Sequence, residues 1–227
     1  MAKPSKVIRD KPPTDRQTTG DLCKATANRA SRGRRPAASW ASLATTAAIL
    51  ATASSSPSRP AIAADSQVCE REMVRAAQAN DIPLNVLYAV GLTETGRKGT
   101  LNPFDMNVDG RAVVSASLAE ALAKFQAERA RGAQLIDIGC MQINHRWHAA
   151  DFHSVTEMFD PASNVRYAAN FLKELRSREG TWTLAVARYN AGPNNEPAQK
   201  KYVCAVIRNM VASGMGQWTP NARAFCG

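Results

Sequence analysis

The chain has 227 residues and a formal net charge of +10, a length that suits one ordinary domain with extensions or two small ones. Residues 1–64 carry 11 of the 29 Lys and Arg side chains but only 3 of the 19 Asp and Glu, a net charge of +8. The rest of the chain has a net charge of only +2, which argues against a nucleic-acid-binding domain.

Residues 1–64 resemble an export signal. An Arg-rich start ending in RASRGRRP precedes the apolar stretch AASWASLATTAAILATA, and AIAA before Asp65 resembles a cleavage site. The apolar stretch is too short, and too rich in Ala, Ser and Thr, for a membrane span. Arg34-Arg35 suggests a twin-arginine signal, but the following PAAS matches it poorly, so we expect Sec export to the periplasm. The alternative is a disordered basic tail before a cytosolic domain.

The cysteines agree with export. Cys23 lies in the leader, which leaves Cys69, Cys140, Cys204 and Cys226. Four thiols in an exported domain favour two disulfides, and the spacing leaves all three pairings open. No CxxC pair suggests a metal site.

From Asp65 onward, helical patterns come first. VCEREMVRAAQAN is amphipathic, and a second helix is expected directly after Pro83, a residue that suits the first helical turn. Residues 97–116 are rich in turn-forming residues, which predicts a loop with a tight turn at Asp109-Gly110.

Two capping boxes predict the next helix starts. Ser117 with Glu120 opens a helix that ends near Gly132, and Ser154 with Glu157 forms the second box. Further elements are a short strand in QLIDIG, helices over residues 161–180, 182–189 and 196–211, and a Gly/Pro/Trp-bearing tail. These elements predict one mainly α domain over residues 65–227, with a very small β element.

One acid stands out in the second helix. In IPLNVLYAVGLTETG, Leu87, Val90, Gly91 and Glu94 fall on one helical face. Glu94 therefore projects from the apolar face, where burial disfavours its ionised form and suits it to donate a proton. Capping does not explain the acid, because a carboxylate is unfavourable at a helix C-terminus. Gly91, one turn earlier, leaves room for a substrate or another backbone.

Two later motifs follow Glu94-Thr95 in order: Gly139-Cys140-Met141-Gln142 and Arg188-Tyr189-Asn190-Ala191-Gly192. Together the three motifs resemble those of the lytic transglycosylases of the soluble-lytic (SLT) type, a goose-lysozyme-like family that cleaves peptidoglycan. The resemblance covers approximately residues 68–210. It implies an α+β lysozyme-like fold, with the β element near the active-site groove.

The resemblance also implies a role for each matching residue. Glu94 is the expected catalytic acid and then base, while Met141 and Gln142 line the glycan groove. The hydroxyl of Tyr189 lies near Glu94, and Asn190 holds the loop after it. Thr95 replaces the usual Ser and keeps a hydroxyl. Cys140 replaces Leu beside the groove, as a small buried thiol or a disulfide partner.

One carboxyl suffices in this family because the substrate supplies the nucleophile. By this resemblance, Glu94 is expected to protonate the leaving oxygen and then to take the proton of the muramic C6 hydroxyl, which leaves a 1,6-anhydro end, with the N-acetyl group assisting. An ordinary glycosidase needs a second carboxyl. Asp137, Asp105 and Asp109 are candidates, and any of them facing Glu94 favours an inverting hydrolase. The alternative is that all three are turn and loop acids that simply face water.

The remaining polar and aromatic residues do not define a site. His145, His148 and His153 are clustered but lack an HExxH arrangement, so we predict surface or groove histidines and no metal. Trp147 and Trp218 are candidates for stacking on sugars, whereas Trp182 at a helix start suits the core better.

The sequence therefore predicts a periplasmic lytic transglycosylase that cleaves the β-1,4 bond between N-acetylmuramic acid and N-acetylglucosamine without water. No cofactor and no nucleic-acid partner are expected, and the protein is expected to be a monomer. The alternatives are a hydrolytic muramidase and a catalytically idle wall-binding assembly protein. A helix inserted over residues 118–131 resembles members that serve flagellar or secretion machineries.

Overall fold

The computed structural model describes residues 67–95 and 100–227. The predicted export signal in residues 1–64 lies outside the described residues. The helices are α1 Val68–Asn80, α2 Leu84–Thr95, α3 Leu118–Ala130, α4 His145–His148, α5 Val155–Phe159, α6 Pro161–Glu179, α7 Trp182–Asn190, α8 Glu196–Ala212 and α9 Pro220–Cys226. A short 3-10 turn covers Ala149–Asp151.

Four short strands form one antiparallel sheet in the order β2-β1-β3-β4. They are β1 Met106–Val108, β2 Arg111–Val113, β3 Ile136–Ile138 and β4 Ile143–Asn144. The predicted strand in QLIDIG is β3, and it pairs with both β1 and β4. The prediction of a mainly α domain with a small β element is confirmed.

The loop predicted over residues 97–116 contains more structure than expected. Its tight turn is present, with φ of 48° at Asp109 and 92° at Gly110, but it joins β1 and β2 in a hairpin. Two residues with positive φ give a turn whose twist matches that of the flanking strands. Strands of three residues are too short to produce an alternating pattern that sequence analysis detects.

The predicted helix starts are confirmed by their caps. The Ser117 hydroxyl accepts a hydrogen bond from the amide of Glu120 at 3.3 Å, and the Ser154 hydroxyl accepts one from the amide of Glu157 at 3.1 Å. In both boxes the Glu carboxylate in turn accepts a hydrogen bond from the backbone amide of the residue before the capping Ser. The Gly/Pro/Trp-bearing tail, for which no helix was predicted, ends in α9, capped by Thr219 at its start.

The core lies around α6, which packs against both α1 and α7, while α8 packs against α2 and α7. Leu172 and Leu175 of α6 are almost fully buried, and burial of each such side chain contributes about 1.5–3 kcal/mol. This packing brings the end of α2, the loop between β3 and β4, and the end of α7 into one region. No helix in the described part of the chain is long and apolar enough to span a membrane.

Two disulfides join the four cysteines. Cys69 of α1 pairs with Cys140 in the β3–β4 loop, and Cys204 of α8 pairs with Cys226 of α9. The predicted number of bonds is confirmed, and of the two roles considered for Cys140 the structure shows the disulfide partner. Of the three pairings left open, the fold selects the one that ties a loop and a terminal helix to longer helices.

Candidate active site

Glu94 lies in the last turn of α2 and is only 4% exposed. Leu87, Val90 and Gly91, which share its helical face, are buried as well. The predicted burial of the carboxyl is confirmed. The room predicted at Gly91 for a substrate or another backbone is filled by α1, since a Cβ placed there would overlap the Cε of Met73. Gly91 instead allows α1 to pack closely against α2.

Tyr202 of α8 donates a hydrogen bond to Glu94. Its hydroxyl lies 2.5 Å from Glu94 Oε1, and the ring is only 6% exposed. Burial first, and then the nearby charge of Glu94, raise the pKa of Tyr202 well above its usual range. The phenol therefore keeps its proton and remains the donor. Sequence reasoning missed this residue.

A signal for Tyr202 did exist in the sequence. Tyr202, Val206 and Asn209 share one face of α8 at helical spacing, and Asn209 donates to the Thr93 hydroxyl of α2 at 2.8 Å. A hydroxyl on the same helical face as the buried Val206 is a candidate for a buried hydrogen bond. The acid that accepts it lies far away in the sequence, so only the packing of α8 on α2 identifies the pair.

Tyr189 is fully buried at the end of α7, and its hydroxyl donates to the Met141 carbonyl oxygen at 3.2 Å. Burial first, and then the charge of Glu94, raise the pKa of Tyr189 well above its usual range. Tyr189 is therefore within electrostatic reach of Glu94. The structure also gives it a second role, which is to hold the main chain of the β3–β4 loop.

The β3–β4 loop, Gly139–Gln142, is held by Asn164 of α6. Asn164 is fully buried, and its Oδ1 accepts from the Met141 amide at 2.9 Å. Its Nδ2 donates to the carbonyl oxygens of Ile138 at 2.9 Å and Met158 at 2.8 Å. Sequence reasoning did not single out Asn164, because one Asn in the first turns of a helix looks like a solvated residue.

Met141 and Gln142 are both buried. The Met141 sulfur packs against Gly91, one turn before Glu94, so the loop lies beside the acid. Gln142 adopts a left-handed backbone with φ of 48°, and its side-chain amide donates to the carbonyl oxygens of Asp105 at 3.1 Å and Gly139 at 2.9 Å. Gln142 thus closes the loop on itself and ties it to the start of β1.

Thr95 and Asn190 end their helices at the site. The Thr95 hydroxyl donates to the Gly91 carbonyl oxygen at 3.2 Å, which satisfies an acceptor in the last turn of α2. Asn190 is the half-buried last residue of α7. The loop after it is held by Gln199, which donates to the Gly192 carbonyl oxygen at 2.8 Å.

The three additional acids lie in different settings. Asp109 is exposed in the hairpin turn and accepts from the Leu135 amide at 3.1 Å. Asp137 is half-buried, accepts from the Asn144 side chain at 2.7 Å, and contributes its charge to the raised pKa of Tyr189. Asp105 is 7% exposed. Asp109 is thus a turn acid, whereas the other two do not simply face water.

The three histidines are separated. His148 is buried, with Nδ1 2.7 Å from the Tyr167 hydroxyl, whereas His153 is exposed. His145 packs on the Phe125 ring at 4.9 Å between centroids, and burial, with the charge of Arg129, lowers its pKa. Among the described residues, no three His, Cys, Asp or Glu side chains are grouped to hold a metal ion.

Arginine guanidinium groups lie near the rings of the described tryptophans. Trp182 packs against the core at the start of α7, as expected, and the guanidinium of Arg176 lies 5.8 Å from its ring. Trp147 has the Arg146 guanidinium over its ring at 4.9 Å. Trp218, before α9, is half-buried, and the Arg223 guanidinium lies 6.0 Å from its ring.

Comparison with known protein families gives one match. The family model described as the transglycosylase SLT domain matches residues 73–209, more than half of the chain. The match contains Glu94, the β3–β4 loop, Tyr189 and Tyr202. No curated protein and no solved structure matches the chain significantly.

Proposed function

The chain belongs to the transglycosylase SLT domain family, whose substrate is peptidoglycan, and from this premise we propose that it is a lytic transglycosylase. The bond cleaved is the β-1,4 bond between N-acetylmuramic acid and N-acetylglucosamine. The observation that carries the proposal is the buried Glu94 carboxyl, 4% exposed, with Tyr202 donating to its Oε1.

Glu94 serves first as the acid. With Oε1 accepting from Tyr202, the transferred proton resides on Oε2 and passes to the glycosidic oxygen as the bond to the anomeric carbon breaks. The Tyr202 bond supports both states, because Oε1 accepts a hydrogen bond whether the carboxyl is protonated or ionised.

Glu94 then serves as the base. The C6 hydroxyl oxygen of the muramic residue bonds to the anomeric carbon, and its proton passes to the carboxylate. The products are a 1,6-anhydro end and a free N-acetylglucosamine hydroxyl, with the proton of Glu94 restored. No water is consumed, so a second carboxyl is not required, in contrast to an ordinary glycosidase.

The β3–β4 loop forms the wall beside the acid. Tyr189 and Asn164 hold the Met141 main chain from two sides, at its carbonyl oxygen and its amide. A loop held by buried hydrogen bonds keeps its position when a glycan strand binds, which favours a preorganised groove. Met141 and Gln142 are proposed to shape this groove, and Thr95 and Asn190 to frame its ends.

The end group of the product tests this function. Mass spectrometry of wall fragments released by the purified protein is expected to show 1,6-anhydromuramic ends. Reducing ends in their place would identify a hydrolytic muramidase. A wild-type protein that releases no fragments would identify a wall-binding assembly protein.

The Glu94→Gln variant tests the assigned acid. The amide has nearly the shape of the carboxyl but cannot donate an acidic proton, so loss of nearly all cleavage with an unchanged fold is expected. Glu174→Gln, at an exposed acid of α6, is the matched control and is expected to cleave normally. Full activity of Glu94→Gln would refute the mechanism.

We also propose that the protein is exported to the periplasm, where its substrate lies. The residues of the predicted signal and the two disulfides support this location. N-terminal sequencing of the protein recovered from cells is expected to begin near Asp65. A protein recovered from the cytosol with residues 1–64 intact would contradict export.

A further inference from the structure

A second cavity, of about 730 Å³, lies between α7, α8 and α9. Its size is typical of ligand-binding cavities. Leu184 and Arg188 of α7 line one side and Lys200 of α8 another. Glu94, Tyr189 and Tyr202 are not among its lining residues, so it is distinct from the proposed site of cleavage.

One wall of this cavity is held covalently. Phe225 of α9 lines it, and the next residue, Cys226, is bonded to Cys204 of α8. Val203, which precedes Cys204, also lines the cavity. The disulfide therefore ties α9 to α8 beside the cavity, which favours a preformed site. Preformed cavities lose less conformational entropy on binding.

The cavity is lined by both positively and negatively charged side chains. Arg188 is paired with Glu179 through Nε at 3.3 Å, but its Nη1 is buried and has no hydrogen-bond partner among the described residues. Because that nitrogen is closed to solvent, a ligand carboxylate meets the positive charge of Arg188 through the 24% of its side chain that is exposed. The Lys200 ammonium lies 5.5 Å from the centre of the Phe225 ring, and Glu196 adds one carboxylate to the lining.

The walls between these charges are apolar. Leu184 and Phe225 are each 44% exposed and both line the cavity, so they offer apolar surface to a ligand. The glycan strand of peptidoglycan is neutral and rich in hydroxyls, whereas its peptides carry free carboxylates, amino groups and small aliphatic side chains. The chemistry of the cavity matches the peptide and not the sugar.

We propose that this cavity binds the peptide stems of peptidoglycan, with a stem carboxylate at Arg188 and Lys200. An aliphatic stem side chain packs between Leu184 and Phe225, and a stem amino group faces Glu196. The proposal rests on the proposed function only in taking the same polymer as ligand. It assigns the enzyme a second contact with its substrate, separate from the glycan groove.

Calorimetric titration of the full chain with a sugar-free stem tetrapeptide tests the proposal. Leu184→Gln and Leu184→Glu form a matched pair at an exposed position, of nearly equal size and differing in charge. The carboxylate of Leu184→Glu repels the ligand carboxylate, so at least a tenfold loss of affinity relative to Leu184→Gln is expected. Equal affinity of the two variants would overturn the proposal.

Arg188→Gln gives a second measurement. Loss of a hydrogen bond to a charged group predicts about a tenfold or larger rise in Kd. Arg208→Gln removes the same charge from an exposed position of α8 outside the cavity and is expected to bind like the wild type. A tripeptide of unrelated sequence with a free carboxylate that bound equally well would overturn the assignment to stem peptides.

The Glu94→Gln variant separates this proposal from the proposed function. It is expected to bind the tetrapeptide with wild-type affinity while releasing no anhydro ends. A wild type that forms anhydro ends but does not bind the peptide would overturn the second site and leave the cleavage mechanism intact. A Glu94→Gln variant that still cleaves would overturn the mechanism and leave the peptide site intact.

Discussion

The Tyr202 hydroxyl donates to Glu94 Oε1 across 2.5 Å, although the two residues are 108 positions apart in the chain. Both side chains are buried, Glu94 at 4% exposure and Tyr202 at 6%. A hydrogen bond to a charged group is stronger than a neutral one and fixes the orientation of its acceptor. Tyr202 is thus a positioning residue for the proposed acid.

Tyr202→Phe is expected to lower kcat about 10- to 100-fold, which corresponds to the loss of one hydrogen bond to a charged group. KM is expected to change little, because the hydroxyl acts on Glu94 and not on the bound glycan. Steady-state kinetics on soluble glycan fragments measures both constants. Tyr88→Phe, which removes the hydroxyl of a half-buried ring of α2, is the control. An unchanged kcat for Tyr202→Phe would contradict the positioning role.

Asn164→Leu is expected to destabilise the fold by about 3 kcal/mol or more, because three buried backbone groups lose their partner at about 1 kcal/mol or more each. Urea unfolding measures the change. Asn170→Leu, at an exposed position of the same helix, is the control and is expected to lie within about 0.5 kcal/mol of the wild type. A similar loss in both variants would show that Asn164 does not hold the loop.

Gly139→Ala is expected to be more damaging than Gly132→Ala. Both glycines have positive φ, 79° and 87°, so both substitutions carry a left-handed strain of about 1–2 kcal/mol. A Cβ at Gly139 also lies 2.7 Å from the Asn164 side-chain nitrogen, whereas nothing lies within 4 Å at Gly132. Overpacking adds about 1–3 kcal/mol.

Denaturant unfolding measures the difference in the free energy of unfolding between Gly139→Ala and Gly132→Ala. Glycan cleavage by Gly139→Ala is expected to fall as well, since Asn164 can no longer hold Met141. Equal stability of the two variants would show that the contact between Gly139 and Asn164 relaxes without cost.

Removing the Cys69–Cys140 disulfide is expected to cost more stability than removing Cys204–Cys226. The first disulfide joins cysteines that are 71 residues apart in the chain, and the second joins cysteines that are 22 residues apart. Loop-closure entropy predicts losses of about 4 and about 3 kcal/mol for the paired Cys→Ala variants. The first pair is also expected to slow glycan cleavage, since Cys140 precedes Met141.

Unfolding midpoints and cleavage rates of the two double variants, measured under identical conditions, check this order. A larger loss of stability on removal of Cys204–Cys226 would contradict it. So would normal cleavage by the variant that lacks Cys69–Cys140.

Much of the helical framework was predictable because its signals are local. Ser117 with Glu120 and Ser154 with Glu157 each satisfy the orphan donors of one helix start, over only four residues. The hairpin at Asp109 and α9 were missed, because three-residue strands and a seven-residue helix are too short to produce a period.

The sequence by itself determined that Glu94 is buried, because helical periodicity places it on the apolar face with Leu87 and Val90. It also determined that the cysteines form two disulfides, but not which ones. Only the tertiary structure decided that Tyr202 is the partner of Glu94 and that Asn164 holds the β3–β4 loop. The physical reason is that these contacts depend on how α8 and α6 pack against elements far away in the chain, and a local pattern carries no record of that packing.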